Sequence, residues 1–292
     1  MACHQLLCVA ESEIGSDPFY TEEMDDLPIQ RTALITGASA GIGTSFAHVF
    51  AEHGFDLVLT ARRGDRLSEL AGAIATKYGR RVHIVAADLA DSSAPAKIEH
   101  EIADAGITID VLVNNAGYGL PGVFLDSTWE QHRDFLQVMV TAVADLTHRF
   151  LPGMIARRYG RIINVASLAG LVPASAGHTL YGASKSMQIK FSQSLALEAM
   201  AHNVHVTALC PGFTYSEFHD VNGMRQRVSQ LPSFMWMDAE TVARQGYAAV
   251  MRGDIVYVNG RVNRSIAFIT RVMPQWIVMR VVKRVARTFR RT

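Results

Sequence analysis

Short apolar runs alternate with longer amphipathic stretches from residue 31 onward. Each run is nearly continuous in apolar and β-branched residues, which is typical of strands that helices cover on both faces. The stretches between the runs are long enough for the crossover helices that join parallel strands. The seven runs are 33–35, 57–59, 82–85, 111–113, 161–165, 204–209 and 255–258. The pattern therefore predicts an α/β fold, a doubly wound domain around a seven-stranded parallel sheet.

Charge changes sharply at the two ends of the chain. Residues 1–29 carry only acidic charges, and we expect them to form a flexible tail. Residues 30–262 hold all seven runs and form the predicted domain. Residues 263–292 carry only basic charges among many apolar residues, which predicts a basic amphipathic helical segment that Pro274 divides.

The overall composition is that of a soluble globular enzyme. Hydrophobic residues make up 49% of the chain, and 28 Lys plus Arg nearly balance 27 Asp plus Glu, which argues against a disordered or nucleic-acid-coating chain. Cys3, Cys8 and Cys210 show neither pairing nor metal-ligand spacing, so we expect reduced thiols, no metal and a cytoplasmic protein. No uncharged apolar stretch reaches the roughly 18 to 20 residues that span a bilayer.

Residues 36–43 read T-G-A-S-A-G-I-G, directly after the first run and before an amphipathic stretch. Glycines allow a tight turn and a close approach to a pyrophosphate, whose charge the free amides at a helix start would meet. An ordinary glycine-rich turn is the alternative reading. The strand before the loop and the helix after it favour a dinucleotide site and a Rossmann-type domain.

The spacing T-G-x-x-x-G-x-G resembles that of the short-chain dehydrogenase/reductase family. The other motifs that resemble the family are Asp88-Leu89 after the third run, N-N-A-G at 114–117, Y-x-x-x-K at Tyr181 and Lys185, and Pro211-Gly212. They occur in family order between residues 31 and 271. The chain looks most like bacterial short-chain reductases of unassigned specificity and like ketosteroid or ketoacyl reductases.

The resemblance implies a set of site residues. Ser167, Tyr181 and Lys185 match the catalytic residues. The matching cofactor-binding residues are Gly37, Ser39, Ala40, Gly41, Ile42, Gly43, Arg62, Arg63, Asp88, Leu89, Asn115, Ala116, Gly117, Tyr181, Lys185, Pro211, Gly212 and Thr214. Homodimers or homotetramers are common in the family and are expected here on that ground alone.

The chemistry of the catalytic residues agrees with their spacing. Tyr181 and Lys185 lie four apart on a predicted helix and therefore on one face. A free phenol titrates near 10 and is a poor acid or base unless a nearby cation favours the phenolate. Lys185 supplies such a cation, and Ser167 would orient the substrate oxygen. We therefore expect Tyr181 to act as general acid/base while a nicotinamide cofactor moves a hydride.

The end of the second run predicts which cofactor is used. An acidic residue there would hold a ribose 2′-hydroxyl and repel a 2′-phosphate, whereas this chain has Arg62 and Arg63. Two guanidiniums can grip a phosphate dianion, so we expect NADP(H), with NAD(H) less favoured. A pair of merely solvated arginines is the alternative. The arginines also argue against an alcohol dehydrogenase that works oxidatively with NAD.

Met139 departs from the family pattern. It stands where the family's usual asparagine, which anchors a water for proton relay beyond the lysine, is expected. A thioether cannot replace those hydrogen bonds. The leading hypothesis is a carbonyl reductase, and the alternative is a cofactor-binding regulatory or scaffold protein with weak catalysis.

A Met- and aromatic-rich stretch follows Pro211-Gly212 and would form a mobile lid over the substrate. The candidate substrate residues are Tyr118, Phe213, Phe218, Met235 and Trp236. They favour a hydrophobic ketone or aldehyde, although burial of the lid against the core explains the same composition. The basic C-terminal segment fits either a peripheral contact with an anionic membrane or packing on the domain or a partner subunit. A nucleic-acid site is disfavoured, because no array of base-stacking residues accompanies the charge.

Overall fold

The computed structural model describes residues 30–174, 179–215, 232–280 and 282. Seven strands form one parallel sheet in the order β3-β2-β1-β4-β5-β6-β9. They are β1 (Thr32–Thr36), β2 (Asp56–Ala61), β3 (Val82–Ala86), β4 (Val111–Asn114), β5 (Gly160–Val165), β6 (Val204–Cys210) and β9 (Val256–Val258). The two short strands β7 (Phe213–Thr214) and β8 (Trp236–Met237) pair separately. The predicted fold, a single doubly wound Rossmann-type domain, is confirmed.

Helices cover both faces of the sheet. They are α1 (Gly41–Glu52), α2 (Gly64–Tyr78), α3 (Ala94–Asp104), α4 (Trp129–Leu136), α5 (Ala142–Ala156), α6 (Thr179–Ala199), α7 (Ala239–Arg252) and α8 (Arg261–Val272). A π-helical turn, Gln137–Thr141, joins α4 to α5. Such turns interrupt the regular hydrogen-bond ladder of a helix and are frequent at functional sites.

The core explains why the strands are continuously apolar. Successive strand residues point to opposite faces, and both faces are buried here. Ile35 of β1 packs with Phe46 and Phe50 of α1 on one face, whereas Leu34 belongs to the cluster on the other face together with Ile98 of α3. A polar residue at either position of the strand would therefore be buried against a helix.

The strand order indicates where on the sheet a ligand would bind. β1 pairs with β2 on one side and with β4 on the other, so the chain reverses its direction of winding between β1 and β4. In open parallel sheets, ligands bind in the crevice at the carboxyl ends of the strands at this point. The loops after β1, β4, β5 and β6 meet there, and they carry the glycine loop, the N-N-A-G turn, Ser167 and Pro211-Gly212.

The described residues include part of the basic C-terminal segment but none of the acidic N-terminal tail. The predicted tail, residues 1–29, lies outside the described residues. The predicted boundary between residues 262 and 263 lies within α8, where the buried Asn263 donates to the carbonyl of Asn259 at 2.8 Å. A second helical piece, 275–280, follows Pro274. Within the described part of the chain, no helix has the length and apolarity needed to cross a membrane.

Candidate active site

The glycine loop is braced by the N-N-A-G turn. Gly37 has a φ of +64°, which glycine adopts without strain. A Cβ on Gly43 would lie 2.3 Å from the Gly37 carbonyl oxygen, so no side chain fits there. The amide of Asn115 donates to the carbonyls of Thr36 at 2.9 Å and of Gly37 at 3.2 Å. These contacts tie the glycine loop to the neighbouring turn.

Thr36, at the end of β1, links the glycine loop to the N-N-A-G turn. Its hydroxyl accepts from the backbone N–H groups of Asn115 and Ala116, both at 2.9 Å, and donates to the carbonyl of Val113 at 3.2 Å. The adjacent Gly117 is the last residue of the turn. Asn115 and Ala116 therefore lie against Gly37 of the glycine loop, and Gly117 packs on the sulfur of Met139.

The start of α1 is suited to an anion. Ala40 stands at the N-cap in an extended conformation, and its methyl group cannot cap the backbone N–H groups. The first turn contains no acidic residue. Ser39, Gly41 and Ile42 surround this helix start, where the helix dipole favours negative charge.

The side chains of the two predicted phosphate-binding arginines point in different directions. The guanidinium of Arg63 donates to the hydroxyl of Ser39 through Nε at 3.3 Å and Nη2 at 3.1 Å, which places its positive charge on the glycine loop. Arg62 points elsewhere, with Nη1 4.0 Å from the carboxylate of Asp88 in a largely exposed pair. Arg63 is therefore the better placed to meet a phosphate next to the loop.

The remaining predicted cofactor residues lie at the same edge of the sheet. Asp88 accepts from the N–H of Ala90 at 3.0 Å, while the side chain of Leu89 is buried in the core. Across the crevice, the carbonyl of Pro211 accepts from the N–H of Leu168 at 2.9 Å. The hydroxyl of Thr214 donates to the carbonyl of Gly212 at 3.3 Å. These loops line the crevice from its two sides.

Ser167, Tyr181 and Lys185 form one cluster. Tyr181 and Lys185 share a face of α6, and Lys185 Nζ lies 5.8 Å from the centroid of the tyrosine ring. Ser167 follows β5, and a side-chain hydrogen bond joins it to Tyr181. Its hydroxyl also accepts from the N–H of Ala169 at 3.1 Å, which fixes its position at the start of a short 3-10 turn.

The electrostatics of this cluster are set by burial. Burial raises the pKa of Tyr181, and the hydrogen bond with Ser167 opposes this shift. Burial lowers the pKa of Lys185 to about 7, and this side chain is 4% exposed. Lys185 Nζ donates to the carbonyl of Val165 at 2.6 Å and to Oε1 of Gln188 at 3.1 Å. Tyr181 is thus protonated at neutral pH, with a buried amine one helical turn away.

The buried lysine predicts a pH dependence of stability. Its pKa is about 7 in the folded chain against the usual 10.5, so the unfolded chain binds more protons between these values. The free energy of unfolding of the wild type should therefore rise with pH in this window, relative to Lys185→Met, by at most about 1.4 kcal/mol per pH unit. Urea titrations across the window measure this difference. A flat difference for Lys185→Met would contradict the prediction.

Sequence reasoning missed Gln188 and considered only the side chain of Met139. The Met139 side chain is fully buried, and its sulfur packs against the Cα of Gly117, where an added Cβ would lie 2.9 Å away. The carbonyl of Met139 accepts from Nε2 of Gln188 at 2.8 Å. A glutamine three residues after Lys185 on a helix gives no signal in the sequence, because polar residues on helices are usually solvated.

An open pocket lies beside Tyr181. Its apolar lining includes Leu120, Val123, Phe124, Phe135 and Leu180. None of the predicted substrate residues in the described ranges belongs to this lining.

The predicted substrate residues that the structure describes are not part of the pocket wall. Tyr118 packs edge-on against Phe135, with ring centroids 5.5 Å apart. Phe213 and Trp236 face each other at 5.6 Å in the small β7–β8 sheet, next to Met235. Phe218 lies outside the described residues. The segment 120–124 was missed because exposed apolar residues in a loop carry no periodic pattern.

Known proteins match this chain across the sheet and the site. A family model described as short chain dehydrogenase matches residues 31–226. Oxidoreductase UcpA of Salmonella typhimurium is 40% identical over 187 residues, which are 63% of this chain and 69% of that protein. The 3-oxoacyl-(acyl-carrier-protein) reductase FabG of Aquifex aeolicus is 32% identical over 239 residues, which are 79% of this chain and 96% of that protein.

A solved structure extends the comparison to three dimensions. A short-chain dehydrogenase from Sphingobium yanoikuyae, in complex with NADPH, matches with a TM-score of 0.73 and 32% identity. The match covers 79% of this chain and 88% of that one. The span of the family model includes the glycine loop and the cluster of Ser167, Tyr181 and Lys185.

Proposed function

The chain belongs to the short-chain dehydrogenase/reductase family of oxidoreductases, and we propose that it reduces the carbonyl group of a hydrophobic ketone or aldehyde with NADPH. The observation that carries this proposal is the cluster of Ser167, Tyr181 and Lys185. It lies at the same sheet edge as the glycine loop, whose Ser39 accepts a hydrogen bond from Arg63. A proton donor, a pocket with aliphatic and aromatic side chains in its wall and a phosphate-binding loop then lie around one crevice.

The residues present fit a nicotinamide dinucleotide with a 2′-phosphate. The uncapped start of α1, without an acidic residue in its first turn, suits the pyrophosphate. Arg63 follows β2, and its guanidinium contacts Ser39 of the glycine loop. No carboxylate stands at the end of β2, and both features suit the 2′-phosphate. The NADPH in the related Sphingobium structure supports the same choice. Lys185 and the N-N-A-G turn would hold the nicotinamide end.

The mechanism assigns a proton transfer to Tyr181. When bound, NADPH supplies the hydride that reduces the carbonyl carbon. Tyr181 donates its phenolic proton to the carbonyl oxygen, so that an alcohol forms and a phenolate remains. Ser167 donates a hydrogen bond that orients this oxygen and stabilises its developing charge. The ammonium form of Lys185 lies close enough to stabilise the phenolate until it takes up a proton from solvent.

The substrate class follows from the pocket. The residues around Tyr181 are mainly aliphatic and aromatic, which favours a substrate with an apolar body and one polar group. FabG, one of the relatives, is a reductase of 3-oxoacyl groups. We therefore propose that an extended hydrophobic chain or ring lies over segment 120–124 while the carbonyl faces Tyr181.

A panel of ketones and aldehydes of rising hydrophobicity tests this function. NADPH oxidation by the purified chain should occur, and kcat/KM should rise as the apolar part of the substrate grows. Phe124→Ser should flatten this rise, whereas Leu197→Ser, on an exposed face of α6, should not. Turnover confined to small hydrophilic carbonyls would contradict the substrate class. Tight NADPH binding without turnover of any carbonyl would favour the regulatory alternative.

A further inference from the structure

The side chain of Gln188 connects Lys185 to the π-helical turn. Its Oε1 accepts from Lys185 Nζ at 3.1 Å, and its Nε2 donates to the carbonyl of Met139 at 2.8 Å. The residue is 1% exposed, so its amide group is shielded from bulk solvent. We propose that Gln188 is a positioning residue that holds the ammonium group of Lys185 for proton transfer at Tyr181. This inference rests on the function proposed above.

The chemistry of the two partners fixes the orientation of the amide. An ammonium group has no acceptor, so it must meet the amide oxygen; a carbonyl has no donor, so it must meet the amide NH₂. The backbone of Gln188 is tied as well, because the Ser192 hydroxyl donates to its carbonyl at 2.7 Å. Met139 thus contributes its backbone carbonyl rather than its thioether. Gln188 supplies the polar side chain that contacts both this carbonyl and Lys185.

Gln188 also affects the charge of Lys185. Burial disfavours the ammonium form, whereas an acceptor at hydrogen-bond distance favours it. A second acceptor, the Val165 carbonyl at 2.6 Å, faces the same nitrogen. The thiol of Cys210 is also near Lys185, and burial raises its pKa to about 12, so it stays neutral. Loss of Oε1 should therefore lower the pKa of Lys185 further, and a carboxylate in its place should raise it.

Two substitutions of opposite sign test the proposal. Gln188→Leu should lower kcat about tenfold or more, and it should move the alkaline limb of the kcat profile to lower pH. Gln188→Glu keeps an acceptor for Lys185 and should move this limb to higher pH, with kcat closer to wild type. Gln193→Leu, the same change on the same helix, should leave both quantities unaltered. A purely structural role would lower kcat in both Gln188 variants without moving the limb, which would overturn the proposal.

A second readout keeps this test independent of turnover. NMR of lysine labelled with ¹³C at Cε, with Lys185→Met to assign the signal, reports the titration of Lys185 directly. Opposite shifts of that titration in Gln188→Leu and Gln188→Glu support the positioning role even if no carbonyl substrate is found. An unchanged titration in both variants would refute the role, whatever the reductase assays give.

A separate surface lies on α8 and the helical piece 275–280. Phe268 and Trp276 are 65% and 67% exposed, and Ile269 and Val272 project on the same side of the helix. Asn263 fixes this orientation, because it is buried against Gly212 and bonded to Asn259. The exposed apolar side chains of α8 therefore point away from the sheet.

Basic residues flank this apolar face. Arg271 follows Phe268 on α8 and Arg280 follows Trp276, and both arginines are exposed. The guanidinium of Arg264, by contrast, donates to the carbonyl of Val258 at 3.1 Å. The sequence contains no acidic residue after Asp254. We infer that this face docks on an anionic phospholipid surface, with the apolar side chains among the headgroups and the arginines at the phosphates.

Vesicle binding by the full chain tests the docking surface. The chain should bind vesicles of phosphatidylcholine with phosphatidylglycerol, bind poorly to phosphatidylcholine alone, and dissociate at high salt. Phe268→Ser with Trp276→Ser, or Arg271→Gln with Arg280→Gln, should abolish binding, while Phe234→Ser, which removes another exposed aromatic residue, should not. Equal binding to both vesicle types, or no binding, would overturn the inference. Loss of self-association in the α8 variants, without any lipid binding, would assign the face to a second copy of the chain instead.

Discussion

Replacing Tyr181 with phenylalanine is expected to lower kcat for carbonyl reduction by about 10²- to 10⁴-fold, the range that general acid catalysis contributes. The ring and its contacts on α6 remain, but the hydroxyl bonded to Ser167 and its proton are lost. NADPH affinity should stay nearly unchanged, because the glycine loop and Arg63 are untouched. Steady-state turnover together with a fluorescence titration of NADPH measures both quantities.

Tyr78→Phe is the matched control for this substitution, since it removes a phenolic hydroxyl at the end of α2. It should leave kcat at the wild-type value. Full turnover by Tyr181→Phe would remove Tyr181 from the proton transfer. A parallel loss of NADPH binding would instead show that Tyr181 acts through the cofactor site.

Replacing Arg63 with alanine is expected to raise KM for NADPH by roughly 10- to 150-fold, because one charge-assisted hydrogen bond contributes about 1.5–3 kcal/mol and each 1.4 kcal/mol is tenfold. The efficiency with NADH should not fall, because NADH lacks the 2′-phosphate. The cofactor preference of the variant therefore moves toward NADH. Initial rates with both cofactors and one carbonyl substrate give this ratio.

Arg62→Ala provides the comparison for Arg63→Ala. Arg62 is turned toward Asp88 in an exposed ion pair, which contributes little, so the variant should lose much less NADPH affinity. A larger loss in Arg62→Ala than in Arg63→Ala would reverse the assignment of the two arginines. An unchanged NADPH preference in both variants would remove them from cofactor selection.

The fold could be predicted because its requirements are local. A strand buried on both faces must be apolar throughout, so each strand of the main sheet could be recognised as an apolar run in the sequence. β1, for example, contains the run that begins at Ala33. The glycine loop was equally visible, since Gly43 tolerates no side chain and Gly37 adopts a positive φ. These demands concern the backbone, and few residue types satisfy them.

The rest of the site depends on tertiary contacts that leave no periodic pattern. Arg62 and Arg63 are indistinguishable in the sequence, and only the direction of each side chain, toward Asp88 or toward Ser39, separates them. Gln188 could not be identified because its partner Met139 lies 49 positions away and contributes a backbone carbonyl. Met139 itself was considered through its side chain, whereas its polar contact is made by its backbone.

Transfer of deuterium from NADPH that is dideuterated at C4 tests the central claim most directly. The chain should convert a hydrophobic ketone into an alcohol that carries one deuterium on the carbinol carbon, with one NADPH consumed per alcohol formed, and Tyr181→Phe should form this product far more slowly. Mass spectrometry of the alcohol reads both the label and the yield. An alcohol without deuterium, or bound NADPH that reduces no carbonyl compound, would contradict the assignment of this chain as an NADPH-dependent carbonyl reductase.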